Sequence, residues 1–253
     1  QMEPLHSMVY LQREAIARAG IPYDVYLDSD LDNPNMPKYK AYLFLDSIHL
    51  TDKTRNWINT NFKKNKNVLA WVWAQGIATD TLSVKNTSSL CGINVELSQT
   101  SGVSSVQPKT GYGPIYGSEG EYAPFFYIDD QSAIVIGKYV TPVQLVGKSA
   151  LGIKKYPDWT SFYSASPKLT PELIREIAKL AGLHTYSTGN DPIYVSKNYI
   201  GIHTKDAGKK TISLPKSAKV IDCFTDKTIS DNCKEFTVNL DAYSTGLYRL
   251  IWK

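Results

Sequence analysis

Asn67-Val68-Leu69-Ala70-Trp71-Val72-Trp73-Ala74-Gln75-Gly76 carries an unbroken apolar run from Val68 to Ala74. The run is short and rich in β-branched and aromatic residues, which suits a strand. A strand with one wet face alternates apolar and polar residues. A continuous run instead predicts a strand covered on both faces, as in a parallel sheet between helices. Working outward, Lys40-Ala41-Tyr42-Leu43-Phe44-Leu45-Asp46 is a second near-continuous run. Between the two, Thr51 or Asp52 can cap a helix whose Trp57, Ile58 and Phe62 share a face. Toward the start, Leu5, Met8, Val9, Leu11, Gln12, Ala15, Ile16 and Ala19 form a helical stripe over 4–19, stopped at Gly20 and followed by a short strand over 23–27. Toward the end, Val84 to Cys91 reads as a helix closed by Gly92, with strands at 132–136 and 160–164. Thr170-Pro171-Glu172 opens a helix with a cap, a proline and an acid in its first turn, and Gly182 ends it. Strands and helices alternating in this way predict an α/β domain with a doubly wound, flavodoxin-like parallel sheet.

After Asn190 the helical period disappears. Short strand patterns at 192–195, 199–203, 211–214, 219–222, 235–240 and 246–251 are separated by Gly, Lys and Asp turns, predicting a small antiparallel β-sandwich. The expected division is therefore 1–190 and 191–253. Within the first part, 98–124 is rich in Gly, Ser, Tyr and Pro and reads as a long loop of functional type.

Composition narrows the function. The 253 residues include 28 Lys and Arg against 24 Asp and Glu, a net charge of +4, with the lysines scattered rather than banded. No nucleic-acid partner is expected from so mild a balance. No membrane partner is expected either, since the longest apolar run is far short of the ~20 residues a spanning helix needs. Gln1-Met2-Glu3-Pro4 lacks the pattern of a leader, and a chain opening on Gln reads as a mature or excised product, which tilts the expected address toward the cell exterior or periplasm. The three cysteines and four histidines have no zinc spacing, and Walker-type and dinucleotide glycine patterns are missing, so neither a metal nor a cofactor is expected. Cys223 and Cys233 flank a polar hairpin-like stretch; a disulfide and two free thiols are both open readings.

Open α/β sheets bind ligands at the carboxyl ends of their strands. Those ends are Asp28-Ser29-Asp30, Asp46-Ser47-Ile48-His49 and Trp73-Ala74-Gln75-Gly76. A nucleophile elbow would place Ser or Cys on the last of these turns, and neither is there. Cys91 follows too late, on a helix, as a buried thiol would. Asp46 and His49 share one strand-to-helix loop and form a candidate acid/base pair; the plainer reading has Asp46 orienting loop amides and His49 solvated. Asp129-Asp130 is an acidic turn without a third calcium ligand at fixed spacing. Seventeen tyrosines and five tryptophans are present. Among them Trp73, Tyr112 and Tyr116 are candidate ligand-binding residues able to stack on sugar rings, and Gln75 is a further ligand-binding candidate.

Three stretches, Gly20-Ile21-Pro22-Tyr23-Asp24-Val25-Tyr26-Leu27, Tyr39-Lys40-Ala41-Tyr42-Leu43-Phe44 and Leu69-Ala70-Trp71-Val72-Trp73-Ala74-Gln75-Gly76, resemble the middle domain of family 42 β-galactosidase-like glycoside hydrolases. Ser164-Ala165-Ser166-Pro167, Ala181-Gly182-Leu183-His184-Thr185-Tyr186-Ser187 and Ile212-Ser213-Leu214-Pro215 resemble later parts of the same proteins. The resemblance implies a class I glutamine-amidotransferase-like fold without amidotransferase chemistry, a role in trimer assembly, and a small C-terminal β-domain. Two departures matter. The catalytic barrel, which needs about 250 residues of its own, is not in this sequence. The strand that should precede the first helix is missing too. We therefore expect a non-catalytic C-terminal region of a longer β-galactosidase-like protein. It would serve a homo-oligomer, line the active site, meet carbohydrate through its parent, and take the missing strand from a rearrangement or another chain. Two alternatives remain: a free-standing hydrolase using Asp46, His49 and Gln75, and a carbohydrate-binding module with exposed coplanar aromatics.

Overall fold

In the computed structural model, which describes residues 3–253, Asn67–Val72 forms β2 and every one of its residues is buried. Gln1 and Met2, which open the stretch inspected for a leader, lie outside the described residues. β1 (Ala41–Phe44) and β9 (Trp159–Ser164) pair with β2 on its two edges, both in parallel. These three strands are the part of the structure that the apolar runs predict. A Phe44–Trp71 stack at 4.4 Å bridges β1 and β2 on one face.

Beyond β9 the sheet turns antiparallel. It continues through β8 (Ser149–Lys155), β7 (Ile134–Thr141), β4 (Ser105–Pro108) and β5 (Tyr116–Gly117). β3 (Val95–Ser98) joins through β6 (Phe125–Ile128), which also reaches β8. The sheet is thus mixed, and the doubly wound expectation holds for three strands only. Between β2 and β9 the chain makes this antiparallel meander instead of a single helical crossover. The supposed long loop at 98–124 supplies β4 and β5, strands too short for their alternation to stand out among glycines.

Four helices accompany the strands: α1 (Gln12–Ala17, entered through a π-helical turn at His6–Leu11), α2 (Asp52–Asn61), α3 (Val84–Cys91) and α4 (Pro171–Leu180). Their ends follow the expected chemistry. The Thr51 and Thr170 hydroxyls accept from the Thr54 and Leu173 amides, and Gly92 closes α3 at φ +74°. Ile58 of α2 and Phe62, which follows its last residue, are buried but Trp57 is 37% exposed, so it does not share their face.

The strand expected at 23–27 does not form. Val25, Tyr26 and Leu27 are exposed, Val25 at 81% and Leu27 at 70%, and belong to no strand. β1 is correspondingly the end of its sheet, and its outer edge meets no backbone partner among the described residues. Propensity alone does not make a strand; a ladder needs a neighbour.

The chain divides into two compact units. The second gathers Leu183–Lys253 with Arg13–Asp24, so its limit falls slightly before 190 and it also takes an early segment. It contains one five-stranded antiparallel sheet in the order β10 (Ile193–Val195), β11 (Tyr199–His203), β14 (Thr245–Trp252), β12 (Gly208–Asp222), β13 (Thr228–Leu240). Ile193, Ile200, Ile212, Val220, Phe236, Tyr248 and Leu250 form its core. Cys223 and Cys233 are free thiols. The register sets Cys233 across from Ala218, whereas the Cys223 amide is held by the Leu247 carbonyl, so the strands do not place the two cysteines opposite each other.

The early segment enters this unit at Gly20, whose carbonyl accepts the Tyr186 amide at 2.8 Å. Gly20 has φ +74°, and a Cβ there would stand 1.9 Å from the Ser187 carbonyl oxygen. Gly20→Ala therefore combines left-handed strain with a backbone clash and should cost about 2 kcal/mol or more. Urea unfolding followed by tryptophan fluorescence checks this; an unchanged midpoint would refute it.

Candidate functional site

The ends of β1 and β2 are fastened by one side chain. Gln75 is fully buried; its Oε1 accepts the Ser47 amide at 2.6 Å, and its Nε2 donates to the carbonyls of Leu45 at 3.0 Å and Val72 at 2.5 Å. The Gly76 amide donates to the Ser47 carbonyl at 2.7 Å alongside. Gln75 thus spends its hydrogen bonds on the two strand ends. The Ser47 hydroxyl reaches outward and donates to Asp28 Oδ1 at 2.6 Å.

Asp46 and His49 are both exposed and no hydrogen bond joins them. Partial burial, and then the charge of Asp28, hold the Asp46 carboxyl above the usual carboxylate range. His49 forms only a backbone bridge with Ala78.

Trp73 occupies the turn where a nucleophile would stand, with backbone in the left-handed region at φ +63°. Neighbours hold that conformation. Its amide donates to the Ser164 carbonyl at 2.7 Å, its carbonyl accepts the Tyr163 hydroxyl at 2.8 Å, and its indole N–H donates to the Pro124 carbonyl at 3.1 Å. The ring meets Tyr122 and Phe126 edge-on. Strained backbone persists only where surroundings over-determine it, as here. Tyr116 is buried, its hydroxyl 3.0 Å from Ser164 Oγ and its ionisation pushed up by burial. Tyr112 is half-buried on a turn after β4.

Other reactive groups are engaged in structure. Cys91 is buried and its thiol is pushed up to about 12 by desolvation, the reverse of an activated nucleophile. His184 Nε2 lies 3.0 Å from the Ser213 carbonyl, and His203 Nδ1 lies 2.9 Å from Thr245 Oγ1. Asp130 takes Lys154 at 2.9 Å, the Ser132 hydroxyl and the Asn94 amide. No cluster of metal-ligating side chains occurs among the described residues, and no described helix is long and apolar enough to cross a membrane.

A groove of about 280 Å³ lies beside these strand ends, between residues 28–32 and the first turns of α2. Asp28 was singled out in the sequence as the end of a strand over 23–27, and that strand does not form. The opposite wall was not singled out, because Trp57 read as core.

No family model and no curated protein matches the sequence. Solved structures match the fold. The β-galactosidase from Bacillus circulans sp. alkalophilus superposes with TM-score 0.66 at 14% identity, over 96% of this chain and 37% of that one. Gan42B, a GH42 β-galactosidase from G. stearothermophilus, gives TM-score 0.65 at 16% identity, over 100% and 37%. The enzyme from the haloarchaeon Halorubrum lacusprofundi gives 0.64 at 12% identity, over 97% and 35%. The chain spans little more than a third of the length of these enzymes, and it has the fold of that portion of a GH42 β-galactosidase.

Two variants test the architecture of the site. Gln75→Ala strands the Ser47 amide and two carbonyls and should cost about 3 kcal/mol in urea unfolding. Gln75→Glu, which replaces the amide donor by an acceptor facing carbonyls, should cost at least as much; a neutral result for either would show that the clamp is dispensable. Asp130 is only 4% exposed. Burial raises its carboxyl, but the bonds from Ser132, Lys154 and Asn94 outweigh that and hold it well below the usual range. A depressed folded value stabilises above the unfolded pKa near ~4 and is lost as pH falls below it. Asp130→Asn should therefore cost on the order of 2 kcal/mol at neutral pH, with the deficit shrinking below about pH 4. A pH-independent deficit in thermal unfolding would refute that assignment.

Proposed function

We propose that this chain is the non-catalytic, amidotransferase-like and C-terminal β region of a larger glycoside hydrolase of the β-galactosidase type, serving assembly of that enzyme and, through it, carbohydrate turnover. The observation that carries the reading is the unfinished parallel sheet. β1 ends the sheet with an open edge, and Val25–Leu27 is apolar, exposed and part of no strand. Native edges are normally shortened, charged or covered, and a parallel strand is normally buried between neighbours. Such an edge calls for polypeptide from outside the described residues. The strand-end site supports the same reading: an indole stands at the elbow, the neighbouring glutamine is committed to backbone, and Asp46 and His49 do not meet. In this role Trp73, Gln75 and Tyr116 hold the shape of the strand ends, and Tyr112 stays half-buried on the turn after β4.

The native gene product should then be far heavier than the 28.3 kDa of this chain. The isolated chain should not cleave an aryl β-galactoside that the full product cleaves. Intact mass spectrometry of the protein from its own source is the first check; a native mass of 28.3 kDa would overturn the proposal.

A further inference from the structure

The groove beside α2 is built from a combination that none of the strand-end residues offers. One wall is the short helical turn Asp28–Asp30 followed by Leu31 and Asp32; the other is the first two turns of α2, with Thr51, Lys53, Thr54 and Trp57. Thr54 and Trp57 are three residues apart and Lys53 and Trp57 four, so the helix presents them to one side. Trp57 leaves 37% of its surface exposed. Leu31 supplies a buried apolar lining residue. Asp28 has one oxygen occupied by the Ser47 hydroxyl. Asp32 pairs with Lys53 at 2.7 Å, an ion pair that is largely open to solvent on the lysine side. An exposed pair of this kind is worth little and yields readily to a competing hydrogen bond.

We propose that this groove is a binding subsite for a single neutral pyranose ring. The volume of about 280 Å³ sits at the small end of ligand pockets, which run from ~300 Å³, and fits one ring rather than a chain. An aromatic side chain offers its face to the C–H side of a sugar, and the carboxylates of Asp28 and Asp32 accept from ring hydroxyls while Lys53 and the threonines donate. Two carboxylates against one ammonium leave the groove net negative, so it disfavours uronates and sugar phosphates. The subsite does not depend on the accessory role proposed above, and the two stand or fall by separate experiments.

The test is saturation-transfer NMR on the 253-residue chain with methyl β-galactoside, methyl β-glucoside and galacturonate as probes. At least one neutral glycoside should bind with a Kd on the order of 1 mM, as expected of a single exposed ring contact. Trp57→Ala should weaken it about ten-fold and Trp57→Phe should retain most of it. Asp32→Asn should weaken the neutral glycoside several-fold and relax the exclusion of galacturonate. Both positions are on the surface, so an amide spectrum matching the unsubstituted chain certifies folding. Absence of transfer to either neutral glycoside at about 10 mM, binding unchanged by Trp57→Ala and Asp32→Asn together, or galacturonate bound as tightly as the neutral probes would each overturn the proposal.

Discussion

A strand buried on both faces has to satisfy its backbone entirely sideways. β2 is such a strand, and the structure is organised around giving it two neighbours. One is β1, close by in sequence. The other is β9, whose register sets Leu69 against Ser161 and Trp71 against Tyr163. Closing that second edge brings together segments about ninety residues apart, and the intervening chain must then be stored without crossing β2. It is stored as the antiparallel extension β3 to β8, and so the sheet changes direction just past β9.

Parallel strands ending together bring their loops together too, and this is where the chemistry of such folds usually resides. Here the convergence is used for fastening. Gln75 ties the loop after β1 to the turn after β2, Arg55 from α2 donates to the Gly76 and Asn86 carbonyls, and Trp73 fills the elbow with a ring bonded to Pro124. A left-handed backbone at the end of β2 is held here by tight packing around an indole. The same fold is found in large glycosidases at identities of 12 to 16%.

How much was legible follows from the length scale of each signal. The buried strands, the capped helices α2 to α4 and the switch to antiparallel strands could be read because a few adjacent residues decide them. Trp57 could not be placed, because one step along a helix separates a core face from a groove wall. The strand at 23–27 was misread because its valine and tyrosines suit a strand, whereas no neighbouring strand pairs with it. β6 and β8 escaped because their burial comes from distant neighbours rather than from a local period. Gln75 was singled out as a ligand-binding candidate, whereas its hydrogen bonds to Ser47 and Leu45 connect positions some thirty residues apart, which no local pattern encodes.

The discontinuous second unit has a bearing on how the chain is made. Arg13–Asp24 belongs with Leu183–Lys253, so this segment must wait while everything from Val25 to Gly182 is synthesised. At translation speeds of roughly 5–20 residues per second, that interval is of the order of ten seconds, ample for the larger unit to close its sheet around β2. The chain therefore has a built-in order of completion, in which Arg13–Asp24 finds its place only after the 158 residues that follow it.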